Sequence, residues 1–492
     1  MPFNVNPLIL PRLVIWAVLL GVLSYTVADP DLWGHVRFGV DILHQHGLPA
    51  VDPYSFTSDR PWINHEWLAE VGMAAAYLSA GPVGLSILKL LLLLTTFGLI
   101  WRELASRGVP PIAQDLLLAV CIIGCFTLTK TFRPQTFSLL LFAGLLVGLR
   151  RIEDGRSGLR WWLLPVAMAI WANLHGGWLV GAGVLGLWTA IRSVAPRGLS
   201  RRAWAAAGLA ALVGTLATPQ GLTMWRFLND TVGLGRADIS EWQPLTGLPP
   251  GDALPWALTT IVALVGLVRA TERRASHLAV VALLLVVSFN VWRLAPFYAV
   301  AVSVLLGPHI VRKPERPSKP APAPPLSAVV VVGLMALAVA AASGVTTYRN
   351  LMCIEMSGSW IADQEAAALV RRAGMAGRML TWFDWGEYAI WFFAPKIKVS
   401  MDGRRETVYS DEMLDRHLAI YRGGPGWEDE FRRIDPDHVW LPANIPTLDR
   451  IEALGWRRVI RTDRSVVLSR AEVPSPPPAA TATPATCFPG DP

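Results

Sequence analysis

Residues 29–66 read DPDLWGHVRFGVDILHQHGLPAVDPYSFTSDRPWINHE, and the rest of the chain is best understood outward from them. The stretch lies between two strongly apolar segments. It nevertheless carries Asp29, Asp31, Asp41, Asp52, Asp59 and Glu66, the histidines His35, His44, His46 and His65, and the arginines Arg37 and Arg60. A connection that only joined two hydrophobic spans would be shorter and plainer. Ionisable residues held at a membrane face point to ligand binding or chemistry.

The whole chain supports a membrane setting. It has 492 residues, 53% of them hydrophobic and only 16% charged, where a soluble domain carries roughly 25% charged residues. Apolar runs near the length needed to cross a core of about 30 Å recur along most of it. Runs at 8–27, 82–101, 110–128, 132–149, 161–174, 177–191, 203–217, 254–268, 276–290, 294–311 and 327–344 predict about eleven spans. The first lacks a small-residue cleavage site and reads as a retained helix. Residues 67–80 are apolar but short, and predict an interfacial or re-entrant helix. Tryptophans at the ends of apolar runs (Trp33, Trp101, Trp161, Trp162, Trp242) suit interfacial anchoring.

Charge sets the orientation. Arg102 and Arg107, Arg150 to Arg160, Arg192 to Arg202, Arg269 to Arg274, and Arg312 to Lys319 fall in alternate loops. The positive-inside rule places these in the cytoplasm, with the N-terminus. Residues 29–66, 218–253 and everything after 345 are then external. The net charge of +7 is thus a topological signal, and no aromatic-basic nucleic-acid motif accompanies it. The expected organisation is a polytopic α-helical membrane domain, 1–344, a small extracytoplasmic α/β domain, 345–472, and a disordered Pro/Ala/Thr-rich tail, 473–492. Expected strands are 378–383, 397–402, 438–442, 457–462 and 465–469, and expected helices 363–374, 385–393 and 447–454. A proline-rich linker, 312–326, precedes the last span. Cys121 and Cys125 read as buried small residues. Cys353 and Cys487 can pair outside the cell, although a disordered tail argues against it.

The candidate chemical groups all fall outside. Asp29 and Asp31, one residue apart, can hold a divalent cation or supply a general base; the plainer reading is a solvated turn. His35 and Arg37 follow, and Arg37 can hold a phosphate. The histidine spacing does not match a zinc helix. Lys130 and Arg133 in TKTFRPQ, and Arg293 in NVWRLAPF, can pair with a lipid-linked phosphate or anchor to headgroups. Asn173 and His175 in ANLHGG suit a helix hairpin. Glu241 lies in DISEWQPLT, and Asp384 in TWFDWGEYAIW, where it can cap a helix. MDGRRE follows at 401–406.

Three of these pieces together resemble the GT-C class of polytopic glycosyltransferases, which use lipid-linked sugar donors. The acidic motif after the first span is Asp29-Pro30-Asp31 here. Ile239-Ser240-Glu241-Trp242-Gln243-Pro244 and Trp382-Phe383-Asp384-Trp385-Gly386 are similar to two motifs of oligosaccharyltransferase catalytic subunits. A second external acidic pair has no counterpart between the third and fourth spans, and Trp-Phe-Asp replaces Trp-Trp-Asp. The resemblance therefore implies the class rather than the substrate. It implies a polyprenyl-phosphate-linked donor, an unidentified glycan, lipid or protein acceptor, and a bacterial inner (cytoplasmic) membrane. Asp29 and Asp31 would be catalytic, and Arg37, Arg133 and Arg293 would neutralise the donor phosphate. His35, Glu241, Trp382 and Asp384 would line the donor and acceptor site. Asp29, Asp31 and Glu241 would be the ligands of any Mg2+ or Mn2+. Two other readings stay open. A transporter or flippase would place ionisable residues in mid-span, where Lys89 is the clearest one, and a scaffold would only present the C-terminal domain.

Overall fold

The computed structural model describes residues 9–156, 161–232, 240–311, 326–473 and 485–490. Ile239 and the expected linker before Leu326 lie outside the described residues. The chain divides into two compact units, Met1–Thr26 with Ser86–Met352, and Val27–Leu85 with Cys353–Pro492.

The first unit is helical. Each apolar range holds a helix: Ile9–Ser24, the second half of Trp67–Ser106, Pro111–Thr129, Gln135–Glu153, Leu163–Leu174, Trp178–Val194, Arg201–Gly214, Pro250–Arg269, Ala275–Asn290, Ala295–Leu305 and Leu326–Met352. Among the described residues, five helices are long and apolar enough to cross a membrane, and several shorter ones are apolar too. Trp67–Ser106 breaks at Ala80 and Gly81, where φ reaches +58°, directly before Pro82. Proline lacks the N–H that would continue the ladder, so the expected short helix ends there. Several polar groups inside the unit find partners across it. Asp115 accepts from Arg12 Nε at 2.7 Å and from the Trp16 and Trp101 indoles at 3.2 and 3.1 Å. Lys89, fully buried, donates to Thr26 Oγ1 at 2.9 Å and to the Tyr25 carbonyl. Its ammonium thus satisfies a carbonyl just past the first helix, where orphan acceptors collect.

The second unit carries a five-stranded sheet: β1 Gly377–Thr381, β2 Ile397–Val399, β3 His438–Pro442, β4 Arg457–Arg461 and β5 Ser465–Ser469, in the order β2-β1-β3-β5-β4. β1 runs parallel to both neighbours, and β5 antiparallel to β3 and β4. The Val-Val-Leu run of β5 is buried throughout, as a central strand requires. Helices Gln364–Arg372, Gly386–Phe393 and Leu448–Ala453 fall at the expected places. Two more, Asp411–Arg422 and Trp427–Ile434, went unforeseen among dense charge. Ser410 caps the first through its hydroxyl, and Trp427, Phe431 and Ile434 bury one face of the second.

Residues 29–66 are built into this second unit, whereas the sequence places them with the membrane domain. Leu32–Gln45 is a helix, and Ser55 pairs in parallel with Val399 beside β2. Trp33 is 1% exposed rather than interfacial, and Trp101 is tied to Asp115. The central fastening is Arg404, which makes a fork to Asp52 (2.6 and 3.0 Å) and another to Asp402 (2.8 and 2.7 Å). Its guanidinium also lies 4.7 to 5.3 Å from the ring centroids of Trp62, Phe38 and Tyr54. The described part of the tail is ordered, against expectation: Cys487 is disulfide-bonded to Cys353, and Phe488 is 2% exposed. A covalent cross-link and a buried ring outweigh the polar, proline-rich composition around them.

Removing one partner of a buried ion pair strands the others, at about 3–5 kcal/mol. Arg404→Met is expected to lower the apparent melting temperature and to expose residues 29–66 to trypsin early. Arg404→Lys keeps the charge but loses the fork, and should fall between. Unchanged melting and cleavage in Arg404→Met would contradict the fastening role.

Candidate functional site

Two charged clusters stand out, one in each unit. In the second unit, Asp31 directly precedes the helix Leu32–Gln45, and its carboxylate does not cap that helix. Glu387, which follows the WFDWG motif, accepts from the Gly34 amide at 3.1 Å. Close approach requires glycine at two places. A Cβ on Gly34 would collide with the Glu387 carboxyl, and one on Gly403 would collide with both Asp31 Oδ1 and Glu387 Oε1. Asp31 and Glu387 thus share one pocket of backbone, with Asp29 buried two residues away.

The electrostatics follow from this crowding. Burial, then the charges of Asp31 and Asp402, push the Glu387 carboxyl well above the usual range, with a smaller push from Asp29. Burial and Asp31 raise Asp384 to about 6, while the Trp382 side chain pulls it back. Burial also works against ionised Asp402, but Arg404 overrides it and holds that carboxyl low. One rim of the cluster therefore holds acids of raised proton affinity, and the other is a fixed ion pair. Asp384 does not cap the helix that follows. Trp382 packs on Tyr421, with ring centroids 4.7 Å apart.

His35 faces two further carboxylates, with Nδ1 3.6 Å from Glu70 Oε1 and 3.9 Å from Glu66 Oε2. Burial opposes its charge. The Glu70, Glu66 and Asp31 carboxylates outweigh burial and raise it to about 9. His65 lies 3.5 Å from Glu66, while His44 and His46 are exposed. Arg37 pairs with Asp41 at 2.8 Å on its own helix, and Tyr54 donates to the same carboxylate at 2.6 Å. Its partner is thus a neighbouring side chain, unlike the expected phosphate role.

In the first unit, the short turn Ser240–Trp242 presents Glu241 to a set of cations. Glu241 Oε2 lies 3.1 Å from Arg293 Nη1 and 3.5 Å from Arg133 Nη1. Burial would raise the Glu241 carboxyl, but Arg133, Arg293 and Lys130 hold it low. The Trp292 amide donates to the Gln243 carbonyl at 3.1 Å, and Arg293 lies 5.7 Å from the Trp242 ring centroid. The two connections are thereby joined. His175 and Asn173 serve structure: His175 Nδ1 is 2.8 Å from both Ser138 Oγ and the Gly177 amide, and Asn173 donates to the Ala169 and Ala217 carbonyls.

Among the described residues, no three His, Cys, Asp or Glu side chains are grouped to hold a metal ion. Glu241 is engaged by arginines. Sequence reasoning missed Glu387, Asp402 and Arg404. The only signal for them was their place beside the WFDWG and MDGRRE stretches.

The fold is that of the GT-C glycosyltransferases, and the chain is a multi-pass membrane protein. It is similar to ArnT from Cupriavidus metallidurans, solved bound to undecaprenyl phosphate, with a TM-score of 0.55 at 13% identity, covering 95% of this chain and 98% of that one. It is also similar to the arabinofuranosyltransferase AftD from Mycobacteria, with a TM-score of 0.54 at 15% identity over 94% of this chain. The chain spans about 40% of the length of AftD. No family model and no curated protein matches the sequence.

His35 gives a pH test. Its pKa is raised from 6.5 to about 9, so its stabilising contribution is complete below 6.5 and is lost as pH rises through 9. The upper limit is about 3 kcal/mol. The melting-temperature gap between wild type and His35→Gln should be widest near pH 6 and should close towards pH 9.5. A gap independent of pH would show that His35 is neutral in the folded protein.

Proposed function

We propose that this chain is a glycosyltransferase that moves a sugar or glycan from a polyprenyl-phosphate-linked donor to an acceptor on the outer face of the membrane. The observation that carries the reading is the Glu241 cluster, where Lys130, Arg133 and Arg293 surround one carboxylate. Such an excess of cations suits a phosphate. The GT-C-like fold supports the reaction class, and the undecaprenyl phosphate bound by ArnT supports the donor class. The disulfide favours an oxidising compartment for the second unit, in agreement with the charge rule.

In the proposed reaction Asp31 is the base. It takes the proton of the acceptor hydroxyl as that oxygen bonds to the anomeric carbon. The bond from the anomeric carbon to the phosphate oxygen breaks, and polyprenyl phosphate leaves with the electron pair. Arg133, Arg293 and Lys130 stabilise the charge that develops on it. Asp384 and Glu387, both with raised proton affinity, hydrogen-bond to sugar or acceptor groups. Trp382 lines the acceptor side. A transport reading gains nothing from Lys89, whose ammonium is satisfied at the end of the first helix.

The test is transfer from a polyprenyl-phosphate sugar by the full chain in nanodiscs. Asp31→Asn should reduce kcat by about 100-fold or more. Arg133→Ala with Arg293→Ala should mainly raise the donor KM, by roughly 10-fold or more. Chelation followed by Mg2+ or Mn2+ would decide whether Asp29 and Asp31 act through a cation. Full activity in correctly inserted Asp29→Asn and Asp31→Asn proteins would rule out the assignment.

A further inference from the structure

The described end of the tail, residues 485–490, meets the second unit at the acidic motif. Three backbone segments are stitched side by side. Val27 bridges in parallel to Glu355, and Glu355 bridges antiparallel to Cys487. The Ala28 amide donates to the Glu355 carbonyl at 2.8 Å, and the amides of Phe488 and Met356 donate to the carbonyls of Ile354 (2.9 Å) and Thr486 (2.8 Å). The Cys353–Cys487 disulfide locks the middle segment to the tail segment.

A second anchor lies five residues further along. The Trp33 indole donates to the Pro489 carbonyl at 2.9 Å. The Phe488 ring centroid is 5.2 Å from that of Trp33, 5.9 Å from Trp391 and 6.1 Å from Tyr77. Trp33 in turn stands edge-on to Tyr388, at 5.4 Å, and Tyr388 follows Glu387 in the chain. Asp29 and Asp31 therefore lie on a short run of backbone pinned at both ends. The pin at residue 28 is made by the segment around Glu355 and the pin at residue 33 by residues 488 and 489, and the disulfide cross-links those two segments.

We propose that the strap 485–490, locked by Cys353–Cys487, is a positioning device for Asp29 and Asp31, with Phe488 and Trp33 as its positioning residues. The role is specific because no regular helix or strand holds residues 28–31 from within. A carboxylate that must meet a hydroxyl needs placement to within a fraction of an ångström, and misplacement by about 1 Å costs roughly 100-fold. The catalytic consequence rests on the proposed transferase reading; the mechanical one does not.

The experiment uses the full chain in nanodiscs, with and without a phosphine reductant, alongside Cys487→Ser, Phe488→Ala, Phe488→Trp and Trp33→Phe. Thiol alkylation and mass spectrometry confirm that Cys353 and Cys487 are reduced. Hydrogen exchange is read on peptides covering 27–38, 353–361 and the sheet. Reduction, Cys487→Ser and Phe488→Ala should speed exchange in 27–38 and 353–361 by about tenfold or more while β3 and β5 stay protected. Phe488→Trp should restore the protection. Trp33→Phe keeps the ring but loses the indole donor, and should loosen 27–38 alone. Where transfer is measurable, kcat should fall with little change in donor KM. Unchanged exchange in 27–38 after complete reduction would overturn the proposal, and so would an equal loss of protection across the whole sheet. A wild-type protein without transfer activity would count against the transferase reading while leaving the exchange test intact.

Discussion

A single guanidinium organises the second unit. Arg404 stands between Asp52 and Asp402, beside the rings of Phe38, Tyr54 and Trp62. Burying three charges is costly unless every lone pair and every N–H finds a partner. Here both forks are made, and the Tyr409 hydroxyl adds a 2.7 Å donation to Asp402. Residues 29–66 have no long apolar run with which to dock. The pair with Arg404 supplies a directional bond across 352 positions of sequence and sets their register against β2.

The acidic cluster follows from that register. Gly403 precedes Arg404, so fixing the arginine also fixes the bare backbone beneath Asp31 and Glu387. The cluster is held at high proton affinity by the same crowding. Glu387 and Asp384 are pushed up by burial and by Asp31, while Asp402 escapes because Arg404 is its partner. Environments that move neighbouring carboxyls in opposite directions separate proton donors from fixed charges. That separation comes from one arginine being shared by two of the acids and not by the others.

The parts of this architecture that were legible in the sequence are those with a local signal. Apolar length marked the helices, and the apolar runs of β3 and β5 marked the sheet. The parts that were not legible are pairings between distant residues. Asp52 reads as a turn residue, and nothing nearby announces Arg404. Glu387 belongs to the acidic cluster only because Gly34 allows its approach. Phe488 sits in a composition that predicts disorder, and its burial depends on a cross-link over 134 residues. The helices Asp411–Arg422 and Trp427–Ile434 hide their apolar faces among Asp, Glu and Arg. Residues 29–66 belong to the unit that holds the sheet, as does the first half of the helix that follows them.

The two charged clusters use opposite solutions to one electrostatic problem. Acids gathered in one place answer their repulsion with a raised proton affinity, as at Asp384 and Glu387. Arginines cannot shed theirs at accessible pH, so a set of cations needs a counter-charge to stay assembled. Glu241 supplies it: of the four side chains Lys130, Arg133, Arg293 and Glu241, three are positive and one is negative, which leaves an excess of two. That excess complements the roughly −2 charge of a phosphate monoester near neutral pH. In the proposed reaction, the leaving phosphate completes the balance as its bond to the sugar breaks, so attraction grows along the reaction coordinate. Stabilisation that strengthens as charge develops lowers the barrier more than it tightens ground-state binding.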